Sequence, residues 1–169
     1  MKTRYHFNTV SIVSHAVYLP LQSAALLDNH SDERLYRDKS ELDISLIPST
    51  FRRRCSQASK IALSVAMQAI KSQSIDYAIF CSQHGEISHT LALLEQISQE
   101  EALSPTWFSQ SVHNTASGLF TLCQHMTQSV TSIAAGKNTF LAGMIEGLTW
   151  LQLNPEKTIL IVQFDEALP

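Results

Sequence analysis

The chain has 169 residues, 44% of them hydrophobic, and a formal net charge of −3. This length is enough for one domain with a well-filled core, and the hydrophobic content excludes a disordered chain. The weak negative charge excludes an ordinary nucleic-acid-binding protein, which needs a basic surface. The three cysteines lack CxxC spacing and lie in apolar stretches, which favours the reducing cytoplasm, and no apolar run reaches the length of a membrane span.

The first half of the chain predicts one strand, a charged excursion and one long helix. Residues 9–13 form a β-branched run that is typical of a strand. Residues 27–42 carry many charges of both signs, so we expect them to lie on the surface. Residues 48–50 supply a stop and an N-cap for a helix over 51–71, where small and apolar residues recur every three or four positions. This stripe predicts that the helix packs closely against a neighbour.

The second half alternates strands with helices. Residues 76–82 are apolar on both faces, as in a buried parallel strand. The further predicted elements are helix 87–97, helix 115–126, strand 130–135, a helix from Asn138 or Thr139 to about residue 153, and strand 158–164. We place five apolar residues on the inner face of the last helix: Phe140, Met144, Ile145, Leu148 and Leu151. The alternation predicts one α/β domain over residues 1–169 with a mostly parallel sheet.

Two cysteines invite a chemical interpretation. Cys81, with His84 and His89 beyond it, offers ligands that zinc prefers, but the strand and the helix that carry them face different ways. Cys123 is near His125, but residues two apart on a helix diverge by about 200°, so this histidine cannot act as its base. We therefore expect structural cysteines, no metal and no cofactor.

Residues 108–118 form the densest polar segment of the chain. His113 and Asn114 open a helix there, and a helix N-terminus can hold an anion or a polar group. The alternative is an ordinary N-cap followed by a tight packing face at Ala116 and Gly118.

The turn at residues 134–139 resembles the sharp strand-to-helix turn on which α/β enzymes present a nucleophile. Its tip carries no Ser or Cys, and an exposed lysine is the simplest interpretation of Lys137.

Three consecutive cations, Arg52, Arg53 and Arg54, begin the first long helix of this prediction. Cations at a helix N-terminus oppose the helix dipole, so a carboxylate or phosphate partner would explain them. A simply solvated cluster is the alternative, and the sequence leaves both open.

Five stretches between about residue 47 and the end of the chain carry a family resemblance: RRRCSQASKIALSVAMQAI, FCSQHGEISHTLALLEQIS, LSPTWFSQSVHNTASGL, SIAAGKNTFLAGMIEGL and ILIVQFDEALP. The SPTxFSxSVHN segment is the most specific of them. With these stretches in this order, the chain resembles β-ketoacyl synthase-like proteins that consist of the N-terminal domain alone. Such proteins are the chain-length-factor-like subunits of aryl polyene and related polyketide or fatty-acid synthesis systems.

The resemblance implies a thiolase-like half-fold, with a mostly parallel sheet, a buried helix and flanking helices. It places the position of the catalytic cysteine of active synthases near Lys137, where this chain has no cysteine. The two assisting histidines of family enzymes come from a second half that this chain lacks. The resemblance therefore implies a catalytically silent subunit. Similar proteins continue beyond the equivalent of Pro169, so whether the natural protein does so stays open.

The resemblance also implies a partner, a catalytic β-ketoacyl synthase, with acyl carrier protein as an indirect one. Similar synthases dimerise through one edge strand, which here corresponds to Val130, Thr131, Ser132, Ile133 and Ala134. The residues that would line the partner's acyl tunnel are Ile87, Thr90, Leu91, Leu94, Trp107, Phe108, His113 and Asn114. Ordinary core packing is the alternative role for these tunnel residues.

A second hypothesis comes from a different functional class. The chain would be a small independent acyl-thioester hydrolase, or an acyl-binding enzyme, that uses His113 as its base.

Overall fold

The computed structural model describes residues 9–18, 42–71 and 73–168. All eight predicted helices and strands fall within these ranges, whereas most of the charged excursion at 27–42 lies outside them. The helices are α1 (Ser49–Arg52), α2 (Gln57–Ile70), α3 (Ile87–Ser98), α4 (Pro105–Gln110), α5 (Thr115–Gln124) and α6 (Thr139–Leu153). The strands are β1 (Tyr77–Cys81), β2 (Ser129–Ile133) and β3 (Ile159–Gln163), and a 3₁₀ turn spans Gly136–Asn138.

A three-stranded parallel sheet forms the centre of the domain. Its order is β2-β1-β3, so β1 has a parallel neighbour on each side. Every residue of β1 is buried, as its unbroken apolar sequence predicts. The expectation of an α/β domain with a parallel sheet is confirmed.

Helices α2 and α5 cover one face of this sheet. The predicted small-residue stripe of α2 is buried, with Ala58 and Ala62 fully inaccessible to solvent. On the sheet side, Phe80 packs its ring against Phe120 of α5 with 5.2 Å between the centroids, and against Phe164 at 6.2 Å. These contacts place the main core of the described residues between α2, α5 and the sheet.

Helix α6 covers the opposite face, and it does so with its small residues. Thr139, Gly143 and Gly147 are its buried positions. The predicted inner face was therefore wrong: Phe140 is 55% exposed, and Ile145 is 57% exposed. Leu148 is also exposed, while Met144 and Leu151 are only half-buried. Two glycines let the backbone of α6 approach the sheet, and this turns the large side chains away from it.

The N-terminal expectations need two corrections. Residues 9–13 form no strand; Ile12 is 86% exposed and has no sheet neighbour to pair with in the described residues. The long helix begins at Gln57 rather than at residue 51, because the Ser56 side chain caps it by accepting a hydrogen bond from the Ser59 amide at 2.9 Å. Residues 49–52 form the separate short helix α1.

Helix α4 was missed by the sequence analysis, which predicted no element between residues 97 and 115. Ser104 is its N-cap and accepts a hydrogen bond from the Trp107 amide at 3.3 Å, and Pro105 occupies the first helical position. Pro105 was thus the start of a new helix. Among the residues described, every helix is too short or too polar to cross a bilayer.

We expect Gly143→Ala to destabilise the domain by ~1–3 kcal/mol, because an added Cβ would overlap Cys81 Sγ in the buried strand β1. The measurement is the free energy of unfolding from urea titrations.

Gly118→Ala is the matched control. Gly118 is also helical, but an added Cβ meets nothing within 4 Å, so alanine should stabilise α5 by ~0.5–1 kcal/mol. Equal effects of the two substitutions would contradict the close α6–β1 contact.

Candidate functional site

The loop that follows β1 is fastened to the C-terminal segment by Asp165. The Asp165 carboxylate accepts hydrogen bonds from the Ser82 hydroxyl at 2.7 Å and from the His84 amide at 3.0 Å. It also accepts one from the Gln83 amide at 3.2 Å. The Ser82 hydroxyl oxygen in turn accepts from the Gly85 amide at 2.7 Å. This network fixes the loop 82–85 at the carboxyl end of the central strand.

His113, the candidate base, is directed at the same loop. Its Nε2 lies 2.8 Å from the carbonyl oxygen of Ser82. A carbonyl can only accept, so Nε2 carries the proton and donates it. Gly85 has a φ of +58°, and a Cβ there would lie 3.0 Å from His113 Cδ2. His113 therefore braces the loop, and its proton-bearing nitrogen contacts backbone rather than a nucleophile. The neighbouring Asn114 is the exposed N-cap residue of α5, and its side chain makes no capping hydrogen bond.

Four of the predicted tunnel residues lie on α3. Ile87, Leu91 and Leu94 share one face of this helix, and Leu94 is 54% exposed. Thr90 is half-buried, and its hydroxyl donates to the Glu86 carbonyl oxygen at 3.1 Å. The α3 face thus offers an apolar surface that nothing in the described residues covers.

Trp107 lies on the other side of α3. Its indole stacks on the His89 ring, with centroids 5.8 Å apart and planes inclined by 9°. His89 leaves the helix axis about 140–160° away from Ile87, Leu91 and Leu94. The structure therefore does not bring Trp107 onto the face that carries those three residues. Phe108, next to it on α4, is 66% exposed.

Strand β2 is an edge of the described sheet. It pairs with β1 through Ser129–Ile133 and has no described strand on its other side. Four of the predicted interface residues, Val130, Thr131, Ser132 and Ile133, are half-buried, and Ala134 just after the strand is exposed. The Ser132 hydroxyl lies 2.9 Å from that of Ser117 in α5, which ties this edge to the core.

The turn between β2 and α6 is held by Thr139. Its hydroxyl accepts a hydrogen bond from the Ala135 amide at 2.9 Å and donates one to the Gly136 carbonyl at 2.7 Å. Lys137 lies in the 3₁₀ turn and is exposed, as the simplest interpretation predicted. The turn has a fixed backbone but offers no thiol.

The three cysteines are poor nucleophiles. Burial raises the pKa of Cys55 to about 11, and it does the same for Cys81 and Cys123. All three are free thiols. Cys81 is fully buried against α6. In the described ranges, no three His, Cys, Asp or Glu side chains cluster closely enough to hold a metal ion.

A buried carboxylate near this site was missed by the sequence patterns. Glu86, just before α3, is only 3% exposed. Its Oε1 accepts a hydrogen bond from the Ser59 hydroxyl of α2 at 2.6 Å. Its Oε2 lies 3.9 Å from His89 Nδ1. The available signal was an acidic residue between a buried strand and the apolar spacing of α3.

The three arginines do not begin the long helix. Arg52 ends α1, and its guanidinium donates to the carbonyl oxygens of Ile47 at 2.6 Å and Ser45 at 2.9 Å. Arg53 and Arg54 follow in the exposed link before Ser56. The unfavourable interaction of three cations with the dipole of α2 therefore does not arise, because Ser56 is the N-cap of this helix.

The comparison with family models decides the family. Residues 27–169 match the model described as the β-ketoacyl synthase N-terminal domain. The chain belongs to this family. No curated protein matches it at a significant level.

Solved structures show the same fold. One chain of the ketosynthase (ApeO) in complex with its chain length factor (ApeC) from Xenorhabdus doucetiae matches with a TM-score of 0.71 and 27% identity over 88% of this chain. The ishigamide ketosynthase/chain length factor matches with a TM-score of 0.58 and 12% identity, covering 66% of this chain and 35% of that one. A β-ketoacyl synthase from Burkholderia phymatum STM815 matches with a TM-score of 0.56 and 12% identity, covering 75% and 33%. The fold is therefore the thiolase-like half-fold that the resemblance implied.

This β-ketoacyl synthase N-terminal domain spans only part of those proteins. It covers 60% of the matching chain in the Xenorhabdus complex. The similarity is thus to a portion of a ketosynthase-like subunit, of the kind found in complexes of a ketosynthase with a chain length factor.

We expect iodoacetamide to alkylate the folded chain slowly at all three cysteines. A rise in thiol pKa from 9.0 to about 11 lowers the thiolate fraction at about pH 8 roughly a hundredfold. Mass spectrometry of the folded protein, with the urea-unfolded protein as control, measures this. Rapid alkylation of one thiol in the folded state would show a nucleophile where the structure has a buried group.

Proposed function

We propose that this chain is a non-catalytic, chain-length-factor-like partner of a β-ketoacyl-ACP synthase in fatty-acid or aryl polyene-type polyketide biosynthesis. It forms a heterodimer with the synthase as a single cytoplasmic domain and helps to line the acyl tunnel, and acyl carrier protein reaches it only through that partner. The observation that carries the proposal is the match to a chain of a ketosynthase–chain length factor complex, at 27% identity and a TM-score of 0.71.

The chemistry of the chain supports a silent role. Condensation needs a thiol to hold the acyl group and donors to stabilise the developing enolate and oxyanion. The resemblance places the position of that thiol near Lys137, and the segment 134–139 contains no cysteine. The thiols elsewhere in the chain are the poorly reactive Cys55, Cys81 and Cys123.

The edge strand β2 supports a partner. The Ile133 carbonyl oxygen accepts from the Ser82 amide at 3.1 Å, so the backbone groups of Ile133 are directed at β1. In a parallel ladder alternate residues address the same neighbour, so Ser132 and Val130 direct their backbone groups outward. An edge with free donors and acceptors is a template for pairing with another chain.

We expect Ser132→Pro to abolish heterodimer formation with a co-expressed ketosynthase while the domain stays folded. Proline removes the outward N–H without breaking the β1–β2 ladder, and edge strands tolerate it at such positions. Size-exclusion chromatography with light scattering measures the heterodimer, and circular dichroism checks the fold.

Ser132→Ala is the matched control, because it removes only the hydroxyl contact with Ser117 and keeps the N–H. It should leave the heterodimer intact. A heterodimer that survives Ser132→Pro would show that the subunits meet elsewhere.

The apolar face of α3 supports a role in product length. Side chains there would shape a tunnel only if the partner covers them, and each methylene that the tunnel buries contributes ~0.8 kcal/mol while space remains. We expect Leu94→Trp to shift the products of the reconstituted complex to shorter acyl chains.

Mass spectrometry of the carrier-bound products measures this shift. Glu95→Gln is the control, since Glu95 is the exposed neighbour of Leu94 and should leave the product lengths unchanged. An unchanged distribution in Leu94→Trp would remove this face of α3 from the tunnel.

A further inference from the structure

Three buried side-chain atoms without a hydrogen-bond partner lie along one helix. In the part of the chain that the structure describes, they are Glu86 Oε2, His89 Nδ1 and Gln96 Oε1. Glu86 immediately precedes α3, and His89 and Gln96 lie on it, about 20° apart around its axis. Buried polar atoms nearly always find a partner, so a cluster of this kind marks a place where a proton or a donor is required.

Glu86 and His89 are placed to satisfy each other. Ser59 occupies Glu86 Oε1 at 2.6 Å and leaves Oε2 without a competing donor. His89 Nδ1 lies 3.9 Å from this oxygen. Since no other group holds either atom, a small rotation of the two side chains brings them within hydrogen-bond distance.

The other ring nitrogen of His89 faces outward. The His89 side chain is 19% exposed, and Nε2 is not among the buried atoms without a partner in the described residues. The Trp107 indole lies parallel to the ring at 5.8 Å and limits its rotation. One edge of the imidazole is thus directed at a buried carboxylate and the other at the surface beside α4.

We propose that Glu86 and His89 form a carboxylate–imidazole pair in which Nδ1 donates its proton to Glu86 Oε2 and Nε2 is an unprotonated acceptor at the surface. A carboxylate that accepts from one ring nitrogen fixes the tautomer and leaves the other nitrogen as an acceptor. An unprotonated Nε2 at the surface beside α4 can accept a hydrogen bond from a neutral O–H or N–H group. The Glu86–His89 pair is not part of the proposed function and does not depend on the partner subunit.

The tautomer of His89 is the decisive measurement. Long-range ¹⁵N–¹H correlation spectra of the whole chain at about pH 8 distinguish protonated from unprotonated ring nitrogens. We expect the proton of His89 on Nδ1. His113 is the internal reference, since its Nε2 donates to the Ser82 carbonyl and must carry the proton. A proton on Nε2 of His89 in the unmodified protein would overturn the proposal, whatever any variant does.

Glu86→Gln should reverse the tautomer. The introduced amide can still accept from the Ser59 hydroxyl, but it presents N–H to His89 Nδ1, which then accepts and leaves the proton on Nε2. Glu95→Gln, the same change at an exposed position of α3, should leave the tautomer unchanged. A His89 tautomer that is the same in Glu86→Gln as in the unmodified protein contradicts the pairing.

Reactivity gives an independent readout. Diethylpyrocarbonate forms an N–C bond with accessible unprotonated imidazole nitrogens, releasing ethanol and carbon dioxide. We expect His89 to be modified several-fold more slowly in Glu86→Gln than in the unmodified protein. The exposed His125 should react at the same rate in both and serves as the reference in the same mass spectra. Equal His89 modification rates in the two proteins would show that Glu86 does not determine which ring nitrogen is unprotonated.

Discussion

The close approach of α6 to the central strand determines how the rest of the domain is arranged. An added side chain at Gly143 would overlap Cys81, and one at Gly147 would come within 2.9 Å of the ends of Ile159 and Ile161. The sheet therefore accepts this helix only along its glycine side. The large residues of α6, such as Phe140, must then face outward. One face of the sheet is closed by two helices with a conventional core, and the other is closed by a helix whose outer surface is apolar.

That constraint also explains which parts of the fold the sequence could predict. Strand β1 and the body of α2 were predictable because their burial follows from local pattern: five consecutive buried residues in one, and a small-residue stripe in the other. The orientation of α6 was not predictable, because the sequence analysis placed its large apolar residues against the sheet. The spacing of Phe140 and Ile145 is equally compatible with a face that packs on the sheet and with one that faces away from it. Only the steric contact between Gly143 and Cys81 decides it.

In the candidate site too, features set by neighbouring residues were predictable and contacts between distant residues were not. His113 was selected as a candidate, but its contact with Ser82, thirty-one positions away, makes it a brace for the loop after β1. Glu86 was overlooked because its significance depends on Ser59, twenty-seven positions earlier in the chain. Both residues converge on the connection between β1 and α3. Polar contacts between residues so far apart in the sequence produce no periodicity, so sequence patterns do not reveal them.

The proposed supporting role draws on the distribution of reactive and exposed groups in the described residues. Cys55 and Cys81 are buried and Cys123 is half-buried, and this burial suppresses their ionisation, whereas apolar side chains remain exposed on α3, α4 and α6. An independent enzyme is expected to show the reverse arrangement, with an activated nucleophile in a cleft and few large apolar surfaces. The edge of β2, which has no described strand beside it, adds backbone donors and acceptors to these surfaces. Burial of these surfaces against a second subunit would stabilise both chains, so folding and association of this domain are expected to be coupled.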